Sequence, residues 1–543
     1  GGEPIRIALD GRFRPAFRMT VAGRGRVPEI LPGTWKARAP FLAADLAGVT
    51  DFDLRFERLG EGGDAPLGLT ISSDLAGVAS SLPAPLDKAA ADARDLTLTL
   101  PLGDALEPAR IGYDGLVDAV WLRAGDYWQL GIGLGGTTAS LPTAENFIVE
   151  GRLPRLAVAA WAGRIGRALA GGVGGDRQQR VDLSGWLDLR VDDLRVAAGS
   201  LGGLDAALNR EGEYWRLNLL GPRVQGSVRI PAGEGAERSL IVDLERLHWP
   251  AGDADSTPRA RPSLLDPGIV PPFDIAIRSL RRGELDLGEF RLNSHRDGSG
   301  IAIEQVTSRR DGFELNGSGG WYAGEDGPYS RMRLRWSARD LGRTLTDAGF
   351  DIALQRGNAV VEMQGRWPGT PLELSLARFD GEIELVISDG AIPAASPGAG
   401  RVLGLVSLNS IPRRLRLDFT DVFGQGLAFD RVAGRFDVDD GVAQTDDLRI
   451  DAPAAEIRMR GRTDLRERTY DQTMTVRPGV GSALPIIGAV AGGPVGAAAG
   501  AALQQIFAEP LKGISEVRYA VDGSWESPRI RPIAVEPAES AGG

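Results

Sequence analysis

The chain of 543 residues lacks cysteine altogether and contains only 2 histidines. Without cysteine there is no disulfide, no thiolate metal site and no cysteine nucleophile. His248 and His295 are far apart in the sequence, and neither belongs to a metal-binding pattern such as His-Glu-x-x-His. A lone histidine at a strand end is usually structural. We therefore expect no metal site and no cofactor.

Basic segments with interleaved aromatic residues are also missing. The formal net charge is −11, and charges of both signs are spread along the chain. Because nucleic-acid binding depends on concentrated positive charge, nucleic acid is not an expected partner.

Signatures of catalysis are absent as well. The acid pairs Asp439-Asp440 and Asp446-Asp447 stand in turn-like contexts, where Asp is favoured for conformational reasons. The glycine-rich run Gly131–Gly136 lacks the Lys-Ser/Thr of a phosphate-binding loop, and no Gly-x-Ser-x-Gly elbow occurs. The sequence therefore predicts that the protein is not an enzyme.

The chain has one long uncharged stretch, the Gly/Ala-rich run Pro478–Ala508. As a helix it could span a bilayer, but Pro485 and Pro494 interrupt it, and Gly and Ala contribute little transfer energy. A helical insertion at about 478–511, which plugs the end of a sheet or dips into a membrane surface, is favoured over a transmembrane helix. The candidate membrane-contact residues are Leu484, Ile486, Ile487 and Val490.

Period-two alternation of apolar and polar residues dominates what the sequence does contain. In Arg331–Trp336, for example, arginines occupy one parity and apolar residues the other. Such alternation predicts strands with one apolar and one solvated face, and abundant Gly and Pro suit many turns. The predicted apolar face comprises Met332, Leu334, Ile383, Leu385, Leu415, Leu417, Phe419, Ile457, Met459, Met474, Val476, Val517 and Tyr519.

Local signals add a helix and a recurring association of glycine with tryptophan. Asp340 is a favourable N-cap for a helix that reaches Ala348, with Gly349 as its stop. Glycine stands next to or near tryptophan at Gly185-Trp186, Gly320-Trp321, Gly365-Arg-Trp367 and Gly523-Ser-Trp525. No fixed short repeat is found. The pattern favours a mainly β chain with a long antiparallel sheet over a closed propeller.

The best linker candidate is the segment between Pro250 and Pro272, which is rich in Pro, Asp and Ser. We predict a first β segment at residues 1–250, a loop or linker at 251–272, and a C-terminal β segment at 273–543 that carries the helical insertion. The middle segment could equally be a long surface loop over a continuous sheet.

Several short motifs follow one another in the last third of the chain: Ala428-Phe-Asp-Arg-Val-Ala-Gly-Arg-Phe436, Asp439-Asp-Gly-Val-Ala-Gln-Thr-Asp-Asp-Leu448, Gly461-Arg-Thr-Asp-Leu465, Thr469-Tyr-Asp-Gln472 and Gly523-Ser-Trp525. Three more lie upstream: Ser73-Asp-Leu-Ala-Gly-Val78, Leu82-Pro-Ala-Pro-Leu86 and Leu376-Ala-Arg-Phe-Asp-Gly381. Together they resemble the YhdP family, whose members are large AsmA-like proteins of the Gram-negative envelope. The resemblance covers most of the chain.

The resemblance implies a sheet that curls into an open hydrophobic groove occupied by acyl chains. It also implies an inner-membrane anchor upstream of this sequence, a periplasmic location and a C-terminal end near the outer membrane. The resulting hypothesis is a bridge that carries phospholipid between the inner and outer membranes, with the predicted apolar face lining its groove. Shielding matters because an acyl chain in water costs about 0.8 kcal/mol per methylene.

Two alternatives stay open. An outer-membrane β-barrel has strands that alternate in the same way, although this sequence lacks regular strands of about ten residues with aromatic girdles. A structural envelope β-protein without lipid transport would be favoured by strict coil periodicity, which the sequence does not display.

Overall fold

The computed structural model describes residues 18–26, 45–58, 67–102, 107–124, 127–158, 160–161, 184–196, 199–232, 238–250, 267–268, 270–298, 300–347, 354–392, 427–453, 455–478, 516–525 and 527–533. The chain divides into two compact units. Unit 1 comprises Gly1–Gly235 and Asp243–Gly252, and unit 2 comprises Ala236–Val242 and Asp253–Gly543. The predicted loop or linker at 251–272 stays a prediction, since most of it lies outside the described residues.

Unit 1 is built from short and medium strands. They are β1 (Arg18–Arg26), β2 (Leu46–Arg58), β3 (Leu67–Ser73), β4 (Val78–Ser80), β5 (Leu96–Leu102), β6 (Ala109–Tyr113), β7 (Val117–Ala124), β8 (Tyr127–Leu134), β9 (Phe147–Leu153), β10 (Leu156–Ala157), β11 (Gly185–Val196), β12 (Gly199–Glu211), β13 (Tyr214–Leu220), β14 (Val224–Pro231) and, in this unit from Asp243 onward, β15 (Leu240–Trp249). Pairing runs β1-β2-β3-β5-β6-β7-β8-β9-β11-β12-β13-β14, with β4 against β2 and β10 against β11.

One line of cross-strand partners crosses unit 1 from β1 to β14. Partners in adjacent strands project from the same side of a sheet, so such a line reveals the character of that side. This line is aliphatic throughout: Val21, Leu54, Ile71, Leu98, Ile111, Ala119, Ile132, Val149, Leu187, Leu208, Leu217 and Val228. The neighbouring line on the other side begins with Asp53, Ser72 and Thr97. We call the aliphatic side the apolar face of unit 1.

Three strand pairs of unit 1 are parallel: β8 with β9, β9 with β11, and β10 with β11. After β8 the chain folds back over the polar side of the sheet, where the backbone N–H of Ala139 donates to Asp118 Oδ2 at 2.9 Å. Gly131 provides the space, because a Cβ there would lie 1.9 Å from the carbonyl oxygen of Ser140. The returning chain enters β9 in the direction of β8, as a parallel pair requires.

Unit 2 is a run of antiparallel strands in which each strand pairs with the next. They are β16 (Phe273–Arg282), β17 (Leu285–Asp297), β18 (Gly300–Arg310), β19 (Phe313–Tyr322), β20 (Tyr329–Ala338), β21 (Gln355–Pro368), β22 (Asp380–Ile392), β23 (Leu427–Asp439), β24 (Val442–Asp451), β25 (Ala455–Asp464), β26 (Thr469–Pro478), β27 (Val517–Ser524) and β28 (Ser527–Ile533). No pairing in the described part of the chain joins β16 to β28, so this ladder is open.

Glycines allow close backbone approach within the ladder of unit 2. Gly381 has a φ of 153°, a conformation that L side chains rarely adopt. A Cβ at Gly381 would also lie 2.1 Å from the carbonyl oxygen of Gln364 in β21. The contact between β21 and β22 at this point therefore requires glycine.

One helix of unit 2, α1 (Leu341–Asp347), follows β20. The carboxylate of Asp340 accepts a hydrogen bond from the backbone N–H of Arg343 at 3.0 Å, which is the N-cap interaction expected of it. Leu341 is buried and, with Leu345, packs on residues at one end of the strands, among them Ile387 and Phe429. The predicted helix is confirmed over its described residues. Two 3-10 turns, Pro371–Glu373 and Leu376–Arg378, connect β21 to β22.

The last strand, β28, pairs with β27 and with no other strand among the described residues. Pro528 and Pro532 occupy positions of the same parity in it, opposite Gly523 and Tyr519. Because proline has no N–H to donate to a ladder, it is tolerated only where its nitrogen faces an outer edge. The outer edge of β28 therefore lacks two hydrogen-bond donors.

The predicted fold class is confirmed in the described residues: both units are mainly β, with open ladders and few helices. The parallel pairs of unit 1 are a feature that alternation does not reveal, since a strand of either direction has the same period.

Candidate functional site

The predicted face residues of unit 2 that are described fall on one side of its ladder. Leu334, Met363, Ile383 and Phe436 are successive cross-strand partners from β20 to β23. Across a bulge between β23 and β24, Phe436 packs in the same cluster as Leu448, and the line continues through Met459, Met474 and Tyr519. In the other direction it passes through Gly317, Val306, Leu292 and Ile275.

The remaining described predictions lie in lines that flank this one on the same side. Ile457, Val476 and Val517 are direct partners in β25, β26 and β27. Met332 and Leu385 share the parity of Leu334 and Ile383 in their strands. We call this side the apolar face of unit 2. Whether these residues line a lipid groove stays a prediction.

Among the described residues of unit 2, no second layer of strands packs on the apolar face. Met332, Ile457 and Met459 are buried, whereas Leu334 and Ile383 remain partly exposed. In the described part of unit 2, strands make their main contacts with ladder neighbours and not with another sheet. Exposed apolar surface costs about 25 cal/mol per Å², so the partly exposed members of the line, such as Leu334 and Ile383, mark a candidate binding surface.

The opposite side of unit 2 carries charges that pair across strands. Arg335 Nη1 lies 2.5 Å from Glu362 Oε1, and Arg435 Nη2 lies 3.6 Å from Glu384 Oε2. Such exposed pairs contribute little stability, but they show that this side is a solvated face. The arginine-rich parity of the sequence is therefore explained by cross-strand pairing.

The same pairing continues at the end of the ladder. The hydrogen bond from Arg531, joined by one from Arg529, lowers the pKa of Asp522. Hydrogen bonds from Arg477 and then Arg518 likewise lower the pKa of Glu516. These carboxylates thus stay ionised, and the polar character of this side extends to β27.

Aromatic side chains bound the apolar face of unit 2 at one end of its strands. The ring centroids of Trp367 and Phe379 are 6.3 Å apart, and those of Tyr470 and Trp525 are 6.1 Å apart. Together with Trp321, these buried residues form what we call the aromatic edge. At the other end of the strands, α1 covers the face through Leu341 and Leu345.

The association of glycine with aromatic residues has a packing reason. A Cβ on Gly365 would lie 2.5 Å from the ring of Phe379, and one on Gly185 would lie 2.6 Å from the ring of Phe147. In both places an aromatic ring covers a glycine on the adjacent strand, a known way to protect glycine in sheets. The signal visible in the sequence was the glycine; its aromatic partner comes from a distant segment, either in a strand (Phe147) or just before one (Phe379).

A small polar cluster on the apolar face of unit 2 overlaps the aromatic edge, with which it shares Tyr470 and Trp525. It consists of Thr463 in β25, Tyr470 and Gln472 in β26, and Trp525 just after β27. Gln472 Nε2 donates a hydrogen bond to Thr463 Oγ1 at 2.8 Å. Burial raises the pKa of Tyr470, so its hydroxyl stays protonated. Sequence reasoning missed this cluster, although its residues share the parity of Met459, Met474 and Tyr519.

The apolar face of unit 1 contains an aromatic contact that spans several strands. The rings of Phe147 in β9 and Trp215 in β13 have centroids 5.6 Å apart, although β11 and β12 lie between them. Because neighbouring strands are about 4.8 Å apart, a contact across three spacings is favoured by a concave face.

At the strand ends of unit 1, the loop at residues 74–94 packs on the apolar face. Its buried residues Leu75 and Val78 contact Leu46, Leu96 and Tyr113. Leu96 and Tyr113 are cross-strand partners in β5 and β6. Each is two residues from the aliphatic line and therefore on the same side of the sheet. The loop therefore covers one end of the face, as α1 does in unit 2.

A buried lysine holds this loop together. Lys88 Nζ donates to the carbonyl oxygens of Leu75 and Val78, each at 2.8 Å, and of Ala89 at 3.2 Å. An ammonium group has three donors, so all of them are used. Lys88 is a structural residue that the sequence alone did not single out.

The acid pairs have structural positions. Asp440 and Gly441, both with positive φ, form the turn between β23 and β24. Asp447 Oδ1 accepts a hydrogen bond from the backbone N–H of Arg435 at 2.8 Å, at the bulge in the same pair of strands. The turn predicted at Asp439-Asp440 is confirmed. The turn predicted at Asp446-Asp447 is wrong, because both residues lie within β24, where the strand pairing is irregular.

Other predicted residues lie outside the described residues. They are Leu415, Leu417 and Phe419 of the predicted groove, and Leu484, Ile486, Ile487 and Val490 of the predicted helical insertion.

The described residues contain no group of three or more His, Asp or Glu side chains arranged to hold a metal ion. His295 is exposed, with Nδ1 2.8 Å from Glu304 Oε1. None of the helices in the described ranges combines the length and the apolar composition needed to cross a bilayer.

Comparison with known proteins agrees with the motifs. The family model described as YhdP protein matches residues 1–530. The intermembrane phospholipid transporter YhdP of Escherichia coli (strain K12) is 24% identical over 562 residues, which cover 98% of this chain and 41% of the relative. The chain therefore spans less than half the length of that relative. No solved structure matches it.

Proposed function

The chain belongs to the YhdP family, and from this premise we propose that it is part of a bridge that carries phospholipid between the inner and outer membranes. In this proposal the chain lies in the periplasm, with its C-terminal end near the outer membrane. Contact with the inner membrane is made by other parts of the longer protein. Acyl chains move along the apolar faces of units 1 and 2, and no catalytic residue is required.

The observation that carries the proposal is the line of neighbouring apolar side chains that crosses the strands of each unit. In unit 2 the line runs from Ile275 in β16 to Tyr519 in β27. At about 4.8 Å per strand its contour length is about 50 Å, which is longer than an extended acyl chain. A lipid can therefore advance along the face without leaving apolar surroundings.

The two sides of each strand have different roles in the proposed transport: the apolar side binds acyl chains, and the charged side faces water. Leu334 belongs to the apolar face, whereas Arg333 points to the solvated side and donates to Gln364 Oε1 at 2.8 Å. An acyl chain gains about 0.8 kcal/mol for each methylene that it transfers from water to such a face. The gain is non-directional, so it holds a lipid without fixing it at one place.

Photo-crosslinking at adjacent positions of β20 tests the proposal. Benzoylphenylalanine at position 334 of the 543-residue chain, mixed with vesicles of phosphatidylethanolamine and phosphatidylglycerol, should yield lipid adducts by mass spectrometry. The matched position 333 should yield few. Leu334→Asp should reduce lipid binding in a folded protein, whereas Arg333→Asp should not.

Equal adducts at both positions, or none at either, would contradict the proposal. The second result is what the alternative of a structural envelope protein predicts.

A further inference from the structure

The cluster of Thr463, Tyr470, Gln472 and Trp525 carries polar groups, although the face on which it lies is otherwise apolar. Its neighbours along β26 and β27 are Met474 and Val521, both apolar. The four side chains are only 7%, 4%, 8% and 7% exposed, respectively. Polar groups at such depth normally have hydrogen-bond partners.

Three atoms of this cluster have no hydrogen-bond partner among the residues that the structure describes. Tyr470 Oη, Gln472 Oε1 and Trp525 Nε1 are buried without a hydrogen bond, although Gln472 Nε2 is satisfied by Thr463 Oγ1. The phenol and the indole can each donate, and the amide oxygen can accept. Because unpaired buried groups destabilise a fold, a molecule that brings acceptors to the phenol and the indole would stabilise this arrangement.

The cluster contains no charged group. Asp471 and Asp522 are cross-strand partners on the opposite, solvated side. In the nearby turn, Asp464 Oδ1 accepts from the backbone N–H groups of Arg466 and Glu467 at 2.9 and 2.8 Å. A phosphate or an ammonium group would find no counter-ion within the cluster, whereas an uncharged acceptor would find two donors.

The position of the cluster further limits the chemical class of ligand that it can bind. It lies where the apolar line of Met459, Met474 and Tyr519 gives way to the aromatic edge. Tyrosine and tryptophan combine an apolar ring with a polar tip, so they suit the boundary between hydrocarbon and polar groups. In a diacyl lipid, that boundary is formed by the two carboxylic esters of the glycerol unit, whose carbonyl oxygens are uncharged acceptors.

We propose that Tyr470, Gln472 and Trp525 form a subsite for the ester region of a diacyl lipid, with Thr463 holding the Gln472 amide in place. Tyr470 Oη and Trp525 Nε1 donate to ester carbonyl oxygens, and the acyl chains extend over Met474 and Met459. This inference rests on the proposed function and specifies which part of the lipid is recognised. It also places the polar end of the lipid at the aromatic edge.

Paired lipids that differ only in their linkage test the subsite. Dipalmitoyl phosphatidylglycerol has ester carbonyls, whereas its dihexadecyl ether analogue has chains of equal length and no carbonyl. By native mass spectrometry, the 543-residue chain should bind the ester lipid about five-fold more tightly, the effect of a typical net hydrogen bond. Tyr470→Phe should remove most of this preference by weakening ester binding alone.

Tyr322→Phe is the matched control. It deletes the same hydroxyl from the opposite side of unit 2, where Tyr322 in β19 is the cross-strand partner of Tyr329 in β20. It should leave the preference for ester lipid unchanged. Equal binding of both lipids by the unaltered chain, or a preference that survives in Tyr470→Phe and in Trp525→Phe, would overturn the subsite.

A second readout needs no lipid. If the Tyr470 hydroxyl has no partner until lipid binds, Tyr470→Phe should unfold in urea at the same or a higher concentration than the unaltered chain. A clearly lower midpoint would mean that water or the protein already satisfies the hydroxyl, and would contradict the subsite. Failure to bind either lipid would instead overturn the proposed function itself.

Discussion

Units 1 and 2 present the same kind of apolar face, but they cover one end of it by different means. Unit 1 uses the loop at residues 74–94, whose carbonyl groups depend on Lys88. Unit 2 uses α1, which contributes Leu341 and Leu345. A helix satisfies the carbonyls of its first turns with its own N–H groups, whereas a loop must find donors elsewhere. The two covers therefore differ in how much each depends on a buried polar side chain.

The largest effect should come from removing that polar group in unit 1. Lys88→Met keeps the length of the side chain but removes three hydrogen bonds from a charged donor, to the carbonyls of Leu75, Val78 and Ala89. The backbone N–H groups of Val78 and Asp92 still donate to Leu75 and Ala89. At about 1.5 kcal/mol for each hydrogen bond to a charged group, the free energy of unfolding should fall by about 4 kcal/mol. Urea denaturation measures the loss, and hydrogen exchange should locate it in the loop at residues 74–94.

Lys88→Arg is the control, because it keeps donors at this position and should recover part of the loss. An unchanged urea midpoint for Lys88→Met would mean that Lys88 contributes nothing to stability. The loop would then not depend on a buried polar side chain any more than the helix does.

A smaller loss of stability should result from replacing a glycine by alanine in unit 2, and almost none from the same change in unit 1. Gly381 in unit 2 has a positive φ and a carbonyl oxygen 2.1 Å from the place of a Cβ, whereas Gly112 in unit 1 has nothing within 4 Å. Gly381→Ala should therefore lower the free energy of unfolding by about 2–3 kcal/mol, and Gly112→Ala should change it by no more than about 0.5 kcal/mol. Similar urea midpoints for the two variants would contradict this reading of the ladder.

The smallest effect concerns the helical cover itself. Asp340→Ala removes the side-chain acceptor for the backbone N–H of Arg343 and should cost about 1 kcal/mol. Asp340→Asn keeps an N-cap oxygen and should stay close to the unaltered chain. If Asp340→Ala cost as much as Lys88→Met, the helical cover would depend on a polar group as strongly as the loop does.

The apolar faces could be predicted from the sequence because the alternation within each strand shows which of its residues share an apolar side. Met332 and Leu334 alternate with arginines, and the structure places them on the same side as Ile383 and Met459. The helix was predictable from Asp340 for a similar reason, since a cap is a local signal.

The rest depends on contacts between distant segments, which no local pattern encodes. The parallel entry of β9 depends on how the chain folds back over Asp118. Gln472 meets Thr463 only because β25 and β26 pair in one register, and a polar residue of that parity has no unique meaning in the sequence. Lys88 likewise stands in a segment without periodicity.

The proline-bearing edge of β28 has a consequence for how copies of this protein behave when crowded. An incoming strand needs a regular row of donors and acceptors, and Pro528 and Pro532 break that row. A neighbouring molecule therefore finds no template there on which to stack. Long open ladders favour fibre formation by edge-to-edge pairing, and the two prolines of β28 oppose such pairing at this edge.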